Sequence, residues 1–480
     1  MTTRRSNFRW MICSLLFFAT TVNYLDRQVL SLTWKDFIAP EFHWTDADYG
    51  IIAGYFSLIY AVCNLFAGKF IDWLGTKKGY LWAIFIWSLA ACLHAACGWA
   101  TVHLVDGIDS VAMLPTLKAG SAVALSVASV SVWLFFGCRC ALALGEAGNF
   151  PAAIKATCEY FPKRDRSFAT SLFNAGSSVG AMAAPALIPP IAAKWGWESA
   201  FVLIGALGFV WMGFWQFLYD KPSRNSRVNQ AELDYISSDA EPIEQPSASN
   251  EQPAGSIGVL RAFTYRHTWS LILGHLFTDG VWWFFLFWTP AYLKDQFGYT
   301  SDSGMSMRLL TALYAIVTFG SIWLCKLPAA LTDRRRLNPY EARLWSMLFF
   351  AFIPSLAIFA QPLGAISAWF PAIFIGLACA GHQAWSANIH MVAGDLFPKS
   401  TVATVAGIAQ FAAGASSFLL NILASRLFVK AEAMGTGFAC FGTTGKPAAY
   451  MLVFCYCGIA YLLGWICMKG LVPRYRPVKL

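Results

Sequence analysis

The sequence is poor in charge and almost free of long polar stretches. Only 13% of its 480 residues are Asp, Glu, Lys or Arg, against about 25% in a soluble protein, which excludes an ordinary water-soluble fold. It has no Walker loop and no dinucleotide fingerprint, so nothing points to ATP-driven pumping or nicotinamide chemistry. Its 13 cysteines are scattered through apolar segments at no metal-ligand spacing. They read as small hydrophobes, with neither disulfides nor metal assigned. The first apolar run, from about Phe8 to Leu32, carries no small-residue cleavage motif and is long enough to span a bilayer, so it reads as a first helix rather than a signal peptide.

What the chain has in abundance is apolar surface. Hydrophobic residues make up 57% and the mean hydropathy is +0.52. Apolar runs of about 20 residues recur along its whole length, the signature of multiple transmembrane helices. We expect an all-α membrane protein of twelve spans, near 9–32, 49–71, 79–100, 126–158, 166–192, 199–219, 267–292, 306–330, 343–361, 366–394, 402–428 and 449–470. The longer runs are accommodated by tilt or protrusion.

A formal net charge of +9 is compatible with a nucleic-acid partner, but its distribution assigns it to topology. One set of loops holds Arg4, Arg5, Lys77, Lys78, Lys163, Arg164, Arg166, Lys221, Arg224, Arg227, Arg334 to Arg336, Lys399, Arg474 and Arg476. The other holds fewer bases, such as Lys35, Lys118, Lys194 and Lys294, mixed with acids. The basic side is expected to be cytoplasmic, with both termini there and the protein in the plasma (inner) membrane. Asp220 to Gln252 is the one long polar stretch and reads as a flexible cytoplasmic linker. It divides the spans six and six. The expected units are a first bundle over 1–219, a linker over 220–265 and a second bundle over 266–480, pseudo-symmetric with each other. Loops 101–125 and 431–446 are expected on the other side.

The run FGCRCALALGEAGNFPAAIKATCEYFP, from Phe136 to Pro162, puts Arg139 and Glu146 two turns apart on one helix face. A charge in hydrocarbon costs about 2.5–3.5 kcal/mol on insertion scales, so such residues mark a site by default. The alternative is a structural ion pair locking two helices. The first span holds a second opposite pair in NYLDRQ. Asn23, Tyr24 and Arg27 share a face, while Asp26 points about 100° from Arg27. Arg27 would then face a cavity and Asp26 another helix; here too a purely structural pair is the alternative.

Two arginines in one cavity suit an anion, because a guanidinium keeps its charge when buried and grips a carboxylate through two parallel hydrogen bonds. Burial raises a carboxyl pKa and a neighbouring arginine lowers it, which makes Glu146 the natural proton carrier and Asp26 a second candidate. Further polar residues that could line the cavity are Tyr60, Asn174, Ser177, Gln383, Trp385, Asn388 and Gln410, with Asp279, Trp282, Trp283 and His382 as additional possibilities. Asp279 must be functional or paired. His94 and His275 read as structural. Gly176 to Gly180 fits G-x-S-x-G, but that hydrolase motif needs a strand and a sharp turn. Inside a span its glycines are better read as a close helix-packing face, and the chain is expected not to be an enzyme.

The loop GKFIDWLGTKKG, with Gly68, Asp72, Gly75, Lys77 and Lys78, matches the form G-x-x-x-D-x-x-G-x-[KR]-[KR], and LTDRRR after the eighth span is a degenerate counterpart without the glycines. On these residues the chain resembles the major facilitator superfamily, and the resemblance implies that Asp72, Lys77 and Lys78 hold the outward-open state. The NYLDR helix, the Arg139-to-Glu146 spacing, GEAGNFPAAIKATCEYFPKRDRS, HQAWSANIH and DGVWWFFLFW are similar to the anion:cation symporters of that superfamily, most of all to hexuronate transporters.

That resemblance covers nearly the whole chain and implies proton-driven uptake of a sugar acid such as glucuronate or galacturonate. Arg27 and Arg139 would contact the carboxylate, Tyr24 and Tyr60 the hydroxyls, and Asp26 and Glu146 would couple protons. Ser177 stands where relatives have glutamine, which argues for a different hydroxyl pattern. The expected partners are the sugar-acid anion, protons and lipid, with no nucleic acid and no cofactor beyond the proton gradient, acting as a monomer. Open alternatives are another organic anion such as an aldonate or aromatic acid, sodium coupling, or an anion sensor that does not transport.

Overall fold

In lipid every backbone N–H and C=O must be bonded within the protein, so apolar runs of this length become helices. The computed structural model describes residues 5–238, 259–397 and 399–478. Twelve long helices stand at the expected places: α1 (Phe8–Thr33), α2 (Asp46–Leu74), α3 (Thr76–His94), α4 (Ala122–Glu146), α5 (Lys163–Trp195), α6 (Trp197–Leu218), α7 (Arg266–Phe297), α8 (Gly304–Leu324), α9 (Pro339–Phe352), α10 (Trp369–Leu396), α11 (Lys399–Met434) and α12 (Lys446–Leu471). The described residues add one small hairpin, β1 (Ala439–Cys440) with β2 (Thr443–Thr444), inside the expected 431–446 loop.

Among the described residues, ten helical stretches are long and apolar enough to cross a membrane. There are eleven if Thr76–His94 and Cys97–Leu104, bent by 58°, form one span. Length and composition alone thus establish ten or eleven of the twelve. α3 counts only as part of that bent pair, and α10 falls short in either count, its 28 residues including His382, Gln383, Asn388 and His390.

Several spans are less continuous than expected. The fourth stops at Glu146 and resumes as Asn149–Tyr160. At this break Gly145 presses on α3 so closely that a Cβ would lie 2.5 Å from the Trp87 backbone nitrogen. The ninth stops before Pro354, which has no N–H to continue the helix, and proceeds as short turns to Gly364. The eighth ends at Leu324 and is followed by a separate helix, Leu327–Arg335.

In the first half α1 packs on α5 and α6, α3 on α4 and α6, and α2 on α4. In the second, α7 packs on α10, α11 and α12, and α8 on α10. Between the halves α2 runs along α11, α5 along α8, and α1 touches α7. The second helix of each half therefore meets the fifth of the other, as a repeat requires. The glycines of the G-x-S-x-G match are a packing face: a Cβ at Gly176 would sit 2.4 Å from the Phe17 carbonyl oxygen, and one at Gly180 2.5 Å from that of Thr21.

The linker is more ordered at its start than its composition suggests. Asn229 caps a short helix, Gln230–Ile236. Its Glu232 is fully buried and accepts hydrogen bonds from Ser6, the Phe8 and Arg9 backbone amides and the Arg9 guanidinium. These bonds fasten the segment to the start of α1. Residues 239–258 lie outside the described residues.

Candidate functional site

α1 carries polar side chains where a lipid-facing helix could not. Asn23, Asp26 and Arg27 are each at most 2% exposed, so their neighbours decide what they do. The Arg27 Nε donates to Glu146 Oε2 at 2.7 Å, with both side chains buried. Glu146 therefore pairs across helices rather than with Arg139 on its own helix. Seven residues at 1.5 Å each separate the two α4 side chains by about 10 Å along the axis, whereas α1 brings Arg27 alongside. The Arg27 guanidinium lies 4.5 Å from the ring centroid of Tyr60, 5.2 Å from Tyr24 and 5.4 Å from Trp283. Such ring faces favour a cation, and Trp283 belongs to the second half.

Arg139 lies 5.3 Å over the Phe56 ring. It lines one cavity with Arg27, walled by Tyr49, Phe56 and, from the second half, Phe287. Asp26 feels both Arg139 and Glu146, so two guanidinium groups and two carboxylates share one neighbourhood. Although Asp26 and Arg27 leave α1 in different directions, Arg139 and Glu146 bring them into one charge network. The Asp26 Oδ2, Arg27 Nη2, Arg139 Nε, Glu146 Oε1 and both polar atoms of Asn23 are buried without a hydrogen-bond partner. Buried polar atoms are nearly always partnered, so this concentration of free donors and acceptors suits a polar ligand.

A second cavity is bounded by Tyr24, Ser177 and Ser178 on one side and by Trp282, Tyr314 and Gln383 on the other. Each cavity offers about 10 Å³, room for roughly one water molecule. Neither holds a molecule larger than that with the two halves as close as they are here. Larger grooves, about 490 and 450 Å³, lie between helices near exposed Trp133 and exposed Leu423, and hold none of the buried charges of α1 and α4.

The other expected residues divide. Ser177 is buried and its hydroxyl is used locally, donating to the Asn174 carbonyl at 2.7 Å. Asn174 itself is exposed and lines neither cavity. Trp385 packs edge-on to Tyr461 within the second half. Asn388 donates to the Ala384 carbonyl of its own helix. Gln410 interacts with His390. None of these last three lines either cavity. Asp279 is paired, accepting from His275 at 2.6 Å, and His382 bonds to Tyr461 and stacks on Trp282. In the glycine-rich loop, Asp72 pairs with Lys155 at 2.7 Å and Lys77 with Asp220 at 3.1 Å, while Lys78 is exposed. The first pair lies within the first half and the second joins it to the start of the linker, so neither reaches the second half.

The sequence reading missed the closure at the other end of the helices. There Lys35 bonds to Asp46 at 2.5 Å and approaches Asp295 at 3.5 Å. Lys294 pairs with Asp36 at 2.8 Å, and Lys446 binds both Asp46 and Asp295. Beneath this lattice Trp34 stacks on Tyr49 with centroids 4.1 Å apart, and both meet Trp288 edge-on. Gln28 donates to the Tyr314 hydroxyl at 2.6 Å, and Tyr49 to the Phe287 carbonyl at 3.0 Å. Each of these sets joins the two halves. The only trace in the sequence was a cluster of mixed charges at span ends, which served there as a topology signal.

Two half-bundles with a charged chamber between them define a membrane transporter, and the comparisons with known proteins supply its family. The Major Facilitator Superfamily model matches residues 16–420, and the chain belongs to that superfamily, whose members are transporters and not enzymes. Among curated relatives, the hexuronate transporter of Escherichia coli (strain K12) is 28% identical over 431 residues, covering 87% of each chain. The galacturonate transporter of Dickeya chrysanthemi is 28% identical, covering 64% of this chain and 78% of its own. A probable galactarate/D-glucarate transporter of E. coli (strain K12) is 27% identical, covering 68% and 70%. Solved structures agree in fold. A bacterial homologue of the human lysosomal transporter Spinster has a TM-score of 0.68 at 18% identity, with 98% and 99% of the two chains covered. A D-xylose–proton symporter has 0.59 at 16%, with 96% and 97% covered.

Proposed function

We propose that this protein carries a hexuronate anion, such as glucuronate or galacturonate, into the cell together with protons, by alternating access between its two halves. The observation that carries the reading is the pairing of Arg27 with Glu146 beside Arg139 and Asp26, with donors and acceptors left over. A substrate carboxylate and Glu146 would compete for Arg27. Protonating Glu146 removes the competitor, so acid on the outer side favours loading and loss of the proton inside favours release. Asp26 serves Arg139 in the same way. Tyr24 and Tyr60 face the sugar hydroxyls, with Ser177 and Gln383 across the second cavity. Each positive charge carried inward gains about 2.3 kcal/mol per 100 mV of membrane potential.

Alternating access fits a chamber too small for its cargo and sealed at one end by ion pairs between the halves. In this scheme the sealed end is extracellular and both termini are cytoplasmic. The protein works as a monomer in the inner membrane, with the proton gradient as its energy source. Two guanidinium groups in one chamber also suit a sugar diacid, the cargo named for the galactarate/D-glucarate relative. The deciding experiment is uptake into proteoliposomes under an imposed pH gradient, with glucuronate, galacturonate, galactonate and glucarate in competition and sodium present or absent. Accumulation of a hexuronate driven by protons supports the reading. Uptake that ignores the pH gradient and follows sodium refutes the coupling, and binding without counterflow refutes transport.

A further inference from the structure

The second half holds an ionisable cluster that the scheme above leaves unused. Asp279 stands within α7 and accepts from the Nδ1 of His275, one turn earlier, at 2.6 Å. His390 of α10 sets its ring against His275 with centroids 5.2 Å apart, and His390 is exposed. His382, two turns back along α10, directs its Nδ1 to the Tyr461 hydroxyl at 2.8 Å. That hydroxyl donates to the Thr278 carbonyl at 3.2 Å, so it accepts from His382. The His390 Nδ1 likewise meets the Ser386 carbonyl at 2.6 Å. Each imidazole thus commits its Nδ1 proton to an acceptor and keeps Nε2 as the atom that gains or loses a proton.

The surroundings make this a site rather than a packing detail. Asp279 interacts electrostatically with His275, His382 and His390. Tyr461, the partner of His382, also feels Cys379 of α10 and Tyr456 and Cys457 of α12, thiols and phenols that are ordinarily neutral at physiological pH. One carboxylate offsets one imidazolium, so a gain or loss of one proton is the natural step. A structural pair would need His275 and Asp279 alone. The His382 ring also lies flat on Trp282, centroids 5.4 Å apart and planes 9° apart, and Trp282 walls the second cavity with Tyr24 and Gln383. An anion in that cavity would therefore act on the charge of His382 through one intervening ring.

We propose that Asp279, His275, His382 and His390 form a second proton-binding site, which exchanges with solvent through His390 and loads in step with the anion beside Trp282. The proposal rests on the reading of this chain as a proton-coupled anion carrier and adds a proton site in the half opposite Glu146. A proton from water binds an imidazole Nε2 and later returns to water; no other bond changes.

The test uses the full chain in two measurements. In detergent, a jump from about pH 8 to about pH 5.5 read with a pH dye should show Asp279→Asn binding about one proton fewer than the wild type. In proteoliposomes, the same variant should import about one proton fewer per glucuronate, with glucuronate counterflow retained. Equal proton counts in variant and wild type overturn the second site and leave proton-coupled uptake standing. Wild-type uptake without proton influx overturns both. If Asp279→Asn does not fold, His390→Gln at the exposed position decides: the pH profile of counterflow should shift, and an unchanged profile overturns the proposal.

Discussion

Glu146→Gln is expected to separate binding from coupling if Glu146 carries the proton as proposed. The amide keeps the shape of the side chain but removes the charge that holds Arg27 at 2.7 Å. A hydrogen bond to a charged group contributes about 1.5–3 kcal/mol net, and about 1.4 kcal/mol is tenfold in an equilibrium constant. If the substrate carboxylate must displace Glu146 from Arg27, the variant should bind glucuronate roughly ten- to a hundredfold tighter at a pH where Glu146 is ionised. At acid pH the wild type converges on the variant, because protonated Glu146 no longer competes. Affinity should therefore rise with acid in the wild type and stay flat in the variant.

The same change leaves a buried guanidinium without its counter-ion. Breaking such a pair costs on the order of 3–5 kcal/mol, moderated here by the ring faces of Tyr24, Tyr60 and Trp283, so thermal stability should fall. Binding is measured by calorimetry across pH, and transport by accumulation and by counterflow in proteoliposomes. Accumulation should vanish while counterflow persists. If Glu146→Gln still concentrates glucuronate in response to a pH gradient, Glu146 is not the coupling acid and the competition argument fails.

Arg139→Lys keeps the charge but loses the planar fork, so glucuronate affinity should fall at least about tenfold with the fold intact; equal affinity would remove Arg139 from the site. Gly180→Val drives a side chain into the Thr21 carbonyl, 2.5 Å from the nearest Cβ position, and should lower the melting temperature and the folded yield; a stable variant would mean that α1 and α5 can separate. Gly50→Val puts bulk where a Cβ already lies 2.1 Å from the Ser425 hydroxyl, between α2 and α11 at the sealed end. It should wedge the halves apart and speed labelling of a cysteine placed at Ala53 by an impermeant reagent from outside, in a background stripped of reactive native cysteines. Lys446→Ala removes one of the two lysines, with Lys35, that bridge Asp46 and Asp295, and should act in the same direction; unchanged labelling in both variants would show that this end does not gate access.

The spans and their approximate places were legible because lipid imposes length and hydropathy on each helix separately. Arg27, Arg139, Asp26 and Glu146 were legible because a charge within an apolar run is costly wherever it falls. Their pairing was not: Glu146 meets Arg27, a contact between helices 119 residues apart. Nor were the local partners on α10 and α11: Asn388 hydrogen-bonds within its own helix and Gln410 reaches His390. The breaks in the fourth and ninth spans escaped a hydropathy reading, which registers apolar length and not helix continuity. Composition alone makes the linker's first part flexible, whereas Glu232 anchors it to Arg9 through contacts that composition cannot express.

The sequence by itself determined that this chain is a bundle of membrane helices with charges it must shelter, because solvation in lipid is a property of each segment. The tertiary structure decided which charges meet, which cavities lie between the halves, and where the Lys35, Asp46, Asp295 and Lys446 lattice closes one end. Those depend on distances between segments far apart in the chain, and only packing sets such distances.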